Sequence, residues 1–152
     1  EVYVKAMQGV KGADLIITEH IGKQESHNHK TKVLQSEELA LGSYKQSLLV
    51  FHQSGCGACE GAMQELKGEY TSLKEKGVRV ITISADKGEL LYKNATQDFP
   101  WQDKYADFEG LEGINFKNYA VRGTPTMILL DKKGLILETA ASINQLKQIT
   151  LK

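Results

Sequence analysis

The chain contains only two cysteines, Cys56 and Cys59, and two residues separate them. The thiolate is the reactive form of cysteine, and the usual thiol pKa of about 8.5 is lowered at the N-terminus of a helix. Two cysteines at this spacing can form a disulfide across one helical turn. The pair therefore predicts thiol-disulfide exchange, with Cys56 as the nucleophile and Cys59 as the resolving thiol.

The residues around the pair predict a strand followed by a helix. Residues 47–51 form an apolar run that indicates a buried strand. Beyond Cys59, apolar residues recur at helical spacing: Ala62, Met63, Leu66, Tyr70 and Leu73. This junction places Cys56 beside unpaired backbone N–H groups and the positive end of the helix dipole, and both favour a thiolate.

The residues alone leave two alternatives to thiol exchange open. The first is a copper or zinc carrier in which Cys56, Cys59 and a histidine such as His52 bind the metal. A further histidine pair, His27 and His29, could also hold a metal, although such exposed histidines are more often solvated. The second alternative is that the two cysteines are buried, unreactive side chains.

The composition is that of an ordinary globular protein. The 152 residues include 19 basic and 19 acidic side chains, which is enough chain for one domain with a substantial core. The balanced charge gives no reason to expect nucleic acid as a partner. No apolar stretch approaches the roughly 20 residues that a membrane span requires. Because the chain begins with Glu1, a membrane anchor outside this chain stays an open expectation.

The segment after the cysteines predicts a β-α-β unit. We expect the first helix to reach residue 76 and to end at Gly77, which tolerates a left-handed backbone. The β-branched run at 78–83 then predicts a strand buried on both faces. A strand, a helix and a second strand in this order predict parallel pairing of the two strands.

Asp86 and Glu89 have the spacing of a capping box and predict a second helix that reaches residue 98. Three of its apolar side chains are expected to face the core: Leu90, Leu91 and Ala95. Residues 101–113 show no clear periodicity. A short helix at 115–120 is expected to bury Phe116 and Tyr119.

The secondary-structure pattern is clear at the C-terminal end of the chain and weak at the N-terminal end. Apolar runs at 126–130 and 135–139, separated by an Asp-to-Gly turn, predict a β-hairpin. Ser142 and Gln145 predict a closing helix with Ile143, Leu146 and Ile149 inward. At the N-terminal end, residues 15–17 and, more faintly, residues 2–4 indicate short strands. Residues 22–32 are polar and indicate a loop or a hairpin tip, and residues 36–40 indicate a helical turn.

The order of these elements, with Cys56-Gly57-Ala58-Cys59 and the later sequence Val121-Arg122-Gly123-Thr124-Pro125-Thr126, resembles the thioredoxin fold. More closely, it resembles the TlpA/ResA-like thiol-disulfide oxidoreductases of bacterial cell envelopes. The resemblance implies an α/β, thioredoxin-like three-layer fold, in which helices flank a central mixed sheet. The resemblance covers roughly residues 15–152. Together with the length of the chain, it predicts a single thioredoxin-like domain over residues 1–152, with 1–32 as N-terminal strands and a polar loop.

The resemblance further implies a function and a substrate-binding position. The Thr124–Pro125 peptide bond is expected to be cis and to lie beside the cysteines, with the Thr124 backbone free to pair with an extended client segment. The expected activity is the reduction of disulfides in periplasmic or envelope client proteins. A membrane thiol carrier is expected to supply the electrons, and no cofactor is expected.

The chain also departs from the family near the pair. Three positions that commonly hold Trp, Pro and Glu are occupied here by Gly55, Ala58 and Ala62. Val50 occupies the position of the buried Asp of thioredoxin, so both carboxylates that help to move the buried thiol's proton are missing. Glu60 and Glu65 are candidate substitutes, although each is more typical of a solvated helix charge. His52 is expected to tune Cys56 if its ring faces the motif.

Overall fold

A computed structural model describes residues 8–20 and 29–149 of the chain. The strands are Leu15–His20 (β1), His29–Leu34 (β2), Gln46–His52 (β3), Val78–Ser84 (β4), Asp103–Ala106 (β5), Thr126–Leu130 (β6) and Ile136–Ala140 (β7). The α-helices are Gly57–Glu75 (α1), Glu89–Thr96 (α2) and Ile114–Asn118 (α3). Five strands form a mixed sheet in the order β5-β4-β3-β6-β7, and β1 and β2 form a separate antiparallel pair.

The central strand β3 separates two hydrophobic cores. Every residue of β3 is buried, and successive side chains of a strand point to opposite faces of the sheet. Leu48 and Val50 belong to the core that contains the buried residues of α1, whereas Leu49 and Phe51 belong to the core beside α3. The predicted α/β arrangement, with helices flanking a central mixed sheet, is therefore confirmed.

The predicted β-α-β unit is confirmed. Helix α1 is followed by Gly77, whose φ of +83° lies in the left-handed region that glycine adopts most easily. The Gly77 carbonyl accepts a hydrogen bond from the Lys45 N–H at 2.6 Å, just before β3 begins. Strands β3 and β4 then pair in parallel from Gln46 and Val78 onward. This pairing places the C-terminal ends of both strands at the same edge of the sheet.

The predicted C-terminal hairpin is also present. Strands β6 and β7 pair antiparallel, and β6 pairs antiparallel with β3 on its other side. In the turn, the Asp131 carboxylate accepts hydrogen bonds from the N–H groups of Lys133 at 2.8 Å and Leu135 at 3.0 Å. Gly134 takes a left-handed φ of +85°. The pairing of β6 with β3 places the start of β6 beside the end of β3.

The second predicted helix differs from expectation in length and orientation. Helix α2 ends at Thr96 rather than near residue 98, and Gly88, not Asp86, is its N-cap. The three residues expected in the core are exposed: Leu90, Leu91 and Ala95. The inward positions are instead Tyr92, which packs edge-on against Phe108, and the buried Thr96, four residues later. A helix shows only one face to the core, and the tertiary structure selects these two positions.

Two strands and one helix differ from the sequence-based assignment. Strand β5 pairs in parallel with β4 within the stretch that showed no periodicity, and its four side chains are only half-buried. Strand β2 occupies the end of the predicted polar loop and pairs with β1. The closing helix is a single 3-10 turn at Ile143–Gln145, although Ile143, Leu146 and Ile149 are buried as predicted.

The N-terminal part of the structure contacts the main sheet. The Gly12 N–H donates to the Gly134 carbonyl at 2.7 Å. The side chain of Asn115 exchanges two hydrogen bonds with the backbone of Ile16, at 2.8 and 3.0 Å. The predicted strand at 2–4 lies outside the described residues. Among the helices that the structure describes, none has the length and apolar character to cross a membrane.

Candidate active site

The loop that carries Cys56 is held by a buried carboxylate beyond the end of the neighbouring strand. The Asp86 side chain is 3% exposed and accepts two hydrogen bonds from Ser54, one from its N–H at 2.9 Å and one from its hydroxyl at 2.5 Å. In addition, the Ala85 N–H donates to the His52 carbonyl at 2.8 Å. These bonds attach the loop after β3 to the segment after β4.

Sequence reasoning missed this role of Asp86, because its spacing to Glu89 suggested a helix cap. The structure shows no side-chain hydrogen bond at that helix N-terminus. The available signal was the parallel pairing of β3 and β4, since residues just beyond the ends of parallel neighbours lie close together. Asp86 and Ser54 occupy those two positions.

Cys56 is the N-cap residue of α1, in an extended backbone conformation with φ −98° and ψ 116°. Its sulfur accepts a hydrogen bond from the Cys59 N–H at 3.3 Å. The Cys59 thiol and then this N–H lower the pKa of Cys56, because both donate to its sulfur and favour the thiolate. The side chain is half-buried, so solvent reaches it. The structure therefore places an acidic, accessible sulfur at the start of the helix.

Cys59 lies one turn further into α1 and is only 1% exposed. Burial raises its thiol pKa, and the hydrogen bond that its thiol donates to Cys56 raises it further. Both cysteines are free thiols in this structure. The two pKa values are thus displaced in opposite directions, which distinguishes a reactive sulfur from a protonated one.

The segment that contains Thr124 and Pro125 lies beside Cys56 in the folded protein. The Thr124–Pro125 peptide bond is cis, and the Cys56 thiol lies 3.8 Å from the Thr124 carbonyl oxygen, to which it donates. Strand pairing explains the approach, since Phe51 near the end of β3 is paired with Thr126 at the start of β6. Both Thr124 and Pro125 are half-buried. The antiparallel pairing of β3 with β6 therefore brings Cys56 and Thr124 together, although 68 positions separate them in the sequence.

His52, the last residue of β3, is buried. Its side chain is 3% exposed, and its ring packs edge-on against Phe99 with the ring centroids 5.6 Å apart. Burial lowers the pKa of His52 to about 4, so the imidazole is neutral at pH 7. His52 and Cys59 both line a cavity of about 650 Å3. The expectation that His52 tunes Cys56 stays a prediction.

The two glutamates considered as substitutes for the missing carboxylates occupy different places. Glu65 accepts two hydrogen bonds from Asn144, from its backbone N–H and its side-chain amide, both at 3.1 Å. Its carboxylate therefore holds the C-terminal segment. Glu60 is exposed and lines the cavity that contains Cys59.

The metal-binding alternative gains no support from the geometry. Among the residues that the structure describes, no group of three or more His, Cys, Asp or Glu side chains lies together as a metal site would require. His27 lies outside the described residues. The copper or zinc carrier hypothesis is therefore not favoured over thiol chemistry.

The fold and the site agree with known proteins. Residues 44–136 match a family model described as thioredoxin-like. Thiol-disulfide oxidoreductase ResA of Bacillus thuringiensis is 32% identical over 120 residues, which cover 78% of this chain and 68% of that protein. Nucleoredoxin of Xenopus laevis is 28% identical over 123 residues but is covered to only 29% of its length.

Solved structures give the same result. The thioredoxin domain of a thiol-disulfide oxidoreductase from Bacteroides vulgatus superimposes with a TM-score of 0.67 over 90% of each chain, at 20% identity. A thiol-disulfide oxidoreductase from Bacteroides fragilis is 30% identical, with a TM-score of 0.59 over 71% of this chain and 80% of that one. This chain therefore belongs to the thioredoxin-like family and is a thiol-disulfide oxidoreductase of the TlpA/ResA type.

Proposed function

We propose that the protein reduces disulfides in client proteins, with Cys56 as the nucleophile and Cys59 as the resolving thiol. The observation that carries this assignment is the difference between the two sulfurs. Cys56 is half-buried and accepts a hydrogen bond from the Cys59 N–H at 3.3 Å, whereas Cys59 is 1% exposed. A client disulfide can reach only the first of them, and the first has the lowered pKa.

The reaction has two exchange steps. The Cys56 thiolate attacks one sulfur of the client disulfide, forms a mixed disulfide with it, and releases the other client sulfur as a thiolate that takes up a proton. Cys59 then loses its proton and attacks the Cys56 sulfur. The second client sulfur leaves, and a Cys56–Cys59 disulfide forms. Two electrons pass from the protein's dithiol to the client disulfide.

The backbone at Thr124 and Pro125 is proposed to bind the client beside the reacting sulfur. The Thr124 carbonyl is 3.8 Å from the Cys56 sulfur, and the residue is half-buried. An extended client segment can pair with backbone groups at this position as one strand pairs with another. Proline has no N–H, so of these two residues only Thr124 can donate a backbone hydrogen bond to a client strand, whereas both carbonyls can accept one.

The location and the electron source are also part of the proposal. We place the clients in the periplasm or cell envelope and assign a membrane thiol carrier as the electron donor, because the chain is of the TlpA/ResA type. We further propose that residues 1–152 form one domain. The bonds of Gly12 with Gly134 and of Asn115 with Ile16 support this, since they join the N-terminal segment to the turn between β6 and β7 and to α3.

Reduction of a disulfide-containing peptide with dithiothreitol as electron source tests the activity. Wild type is expected to accelerate reduction, and Cys56→Ser is expected to be inactive. Cys59→Ser is expected to accumulate a mixed disulfide that mass spectrometry detects, and the same variant expressed in the native cell should capture the clients. Equal activity of wild type and Cys56→Ser would contradict the assignment. A reduction potential well above that of the glutathione pool would reverse the proposed direction of electron flow.

A further inference from the structure

Two exposed leucines line a groove beside the loop that carries Cys56. The groove lies between the start of α2 and the 3-10 turn Gly110–Glu112, and its volume is about 490 Å3. Leu91 and Leu111 line it and are 56% and 40% exposed, so we call it the leucine groove. Single exposed leucines are ordinary on a protein surface, but here two of them share the wall of one groove.

The fold itself keeps both leucines at this groove. Tyr92 takes the inward face of α2, so the preceding residue, Leu91, stays outside. Gly110 has a φ of +65°, and a Cβ at this position would lie 2.7 Å from Lys87 Cε. Glycine therefore allows the Lys87 side chain to lie against the turn. This contact brings the turn that carries Leu111 next to the segment after β4.

The leucine groove is close to the reactive sulfur. Gln53 and Ser54 line it, and Ser54 precedes Cys56 by only two positions. Two residues of chain span at most about 7 Å, and the hydrogen bonds of Ser54 to Asp86 hold this wall of the groove in place. A protein interface of standard size buries about 800 Å2 on each partner, which corresponds to a circle of about 16 Å radius. An interface centred on Cys56 therefore includes the groove.

The charges and the size of the groove indicate what fits it. Lys87, Glu109 and Glu112 line it and are exposed, and Glu112 is paired with Lys117 at 3.5 Å. Charges of both signs favour neither an acidic nor a basic occupant, and apolar side chains beside exposed polar ones are typical of a protein interface. The two leucines offer far less surface than the roughly 800 Å2 that each partner of a stable dimer buries. One inserted side chain therefore fits better than a second copy of the chain.

We propose that the leucine groove binds an apolar side chain of the client, two or three residues from the client's reacting cysteine. The inference rests on the proposed role of Cys56. An extended chain advances about 3.3 Å per residue, so a side chain at that separation spans the distance from Cys56 to Ser54. Its contact with Leu91 and Leu111 removes apolar surface of both partners from water. The protein thereby selects clients by a residue near the disulfide as well as by the disulfide itself.

Two peptides test this selectivity, each with one cysteine in a mixed disulfide with an aromatic thiol. One peptide carries leucine, and the other serine, at the second and third positions on either side of the cysteine. The Cys56 thiolate attacks the peptide sulfur, the bond between the peptide and the aromatic sulfur breaks, and the coloured aromatic thiolate leaves because it is the better leaving group. The ratio of the two rate constants measures selectivity and cancels any change in the thiol itself. The same ratio with dithiothreitol corrects for the intrinsic reactivity of the peptides.

Three serine variants assign the selectivity to the groove. Wild type is expected to prefer the leucine peptide roughly 5- to 30-fold. Leu91→Ser and Leu111→Ser should each lower this preference about 3- to 10-fold. The matched control is Leu90→Ser, because this neighbouring leucine of α2 is 72% exposed and does not line the groove, so its preference should stay within about twofold of wild type. All three side chains are exposed, and substitutions at such positions change stability little.

The outcomes distinguish this inference from the proposed function. Equal rates with both peptides in wild type, an unchanged preference in both groove variants, or an equal loss in Leu90→Ser would overturn the inference and leave the roles of the cysteines intact. Sedimentation at the assay concentration tests the other occupant, since a dimer that Leu91→Ser dissociates would assign the groove to a second copy and overturn the inference as well. Absence of thiolate release from either peptide in wild type would overturn the proposed function itself.

Discussion

The sulfur of Cys56 accepts a hydrogen bond from the backbone N–H of Cys59, with 3.3 Å between the two atoms. This bond uses one of the N–H groups that the first turn of a helix leaves unpaired. The same residue thus caps α1 and carries the reactive sulfur, while Cys59 supplies the capping donor through its backbone. One hydrogen bond therefore both caps the helix and favours the thiolate of Cys56.

The two thiols are expected to differ in their reaction with iodoacetamide. In Cys59→Ser, the alkylation rate of Cys56 should rise with pH through a midpoint below the usual value of about 8.5, because N–H donation favours its thiolate. In Cys56→Ser, Cys59 should react slowly and with a midpoint above that value, because burial favours its thiol. Quenched alkylation followed by mass spectrometry gives both curves. Coincident midpoints would contradict the assigned difference.

Removal of the Asp86 carboxylate is expected to loosen the loop that carries Cys56. Asp86→Ala leaves the half-buried Ser54 N–H without its acceptor and should lower the free energy of unfolding by about 1–3 kcal/mol. The matched control is Asp98→Ala, because that carboxylate is exposed and its pair with Lys67 should contribute no more than about 1 kcal/mol. Urea unfolding measures both variants. Equal effects at the two positions would argue against a special role for Asp86.

Two glycine-to-alanine substitutions are expected to have opposite effects. At Gly134, the φ of +85° is strained for alanine, and an added Cβ would lie 2.6 Å from the Ser36 carbonyl carbon. Gly134→Ala should therefore destabilise the protein by more than about 1 kcal/mol. At Gly68, on the exposed face of α1, nothing lies within 4 Å of an added Cβ. Gly68→Ala should raise the unfolding free energy by roughly 0.5–1 kcal/mol. Thermal unfolding of both variants checks the signs.

The stability of the protein is expected to fall on acidification because of His52. Its pKa is about 4 in the folded protein and near 6.5 in the unfolded chain, so the unfolded chain binds the extra proton between these values. The contribution, on the order of 3 kcal/mol, is therefore complete above pH 6.5 and is lost as the pH falls towards 4. The difference in unfolding free energy between wild type and His52→Gln should change over this pH range. A constant difference from pH 7.5 to 4 would contradict a neutral buried imidazole.

Much of the candidate active site could be predicted from local patterns in the sequence. The apolar run before Cys56, the helical spacing after Cys59 and the glycine at residue 77 each correspond to an observed feature. Their signal is strong because β3 and β4 are buried almost throughout and α1 has one clear apolar face. Strands β2 and β5 carried no such signal. The β5 side chains are only half-buried, and backbone pairing rather than side-chain burial defines this strand.

The errors at α2 and Asp86 have a common cause. Leu90 and Leu91 satisfy a helical pattern in the sequence but are exposed, at 72% and 56%. Asp86 satisfies a capping pattern but binds Ser54. In both cases a local rule had two acceptable outcomes, and tertiary contacts selected one of them: Ser54 for Asp86, and Phe108 for the face of α2 that carries Tyr92.

By itself, the sequence determined the chemistry of this protein, because a cysteine pair at the junction of a strand and a helix creates the thiol environment from neighbouring residues alone. Only the tertiary structure decided what surrounds that pair. The approach of Thr124 follows from antiparallel pairing of β3 with β6, and the attachment of Ser54 to Asp86 follows from parallel pairing of β3 with β4. His52 and Cys59 line one cavity because β3 packs against α1, and that packing is not a property of either segment alone.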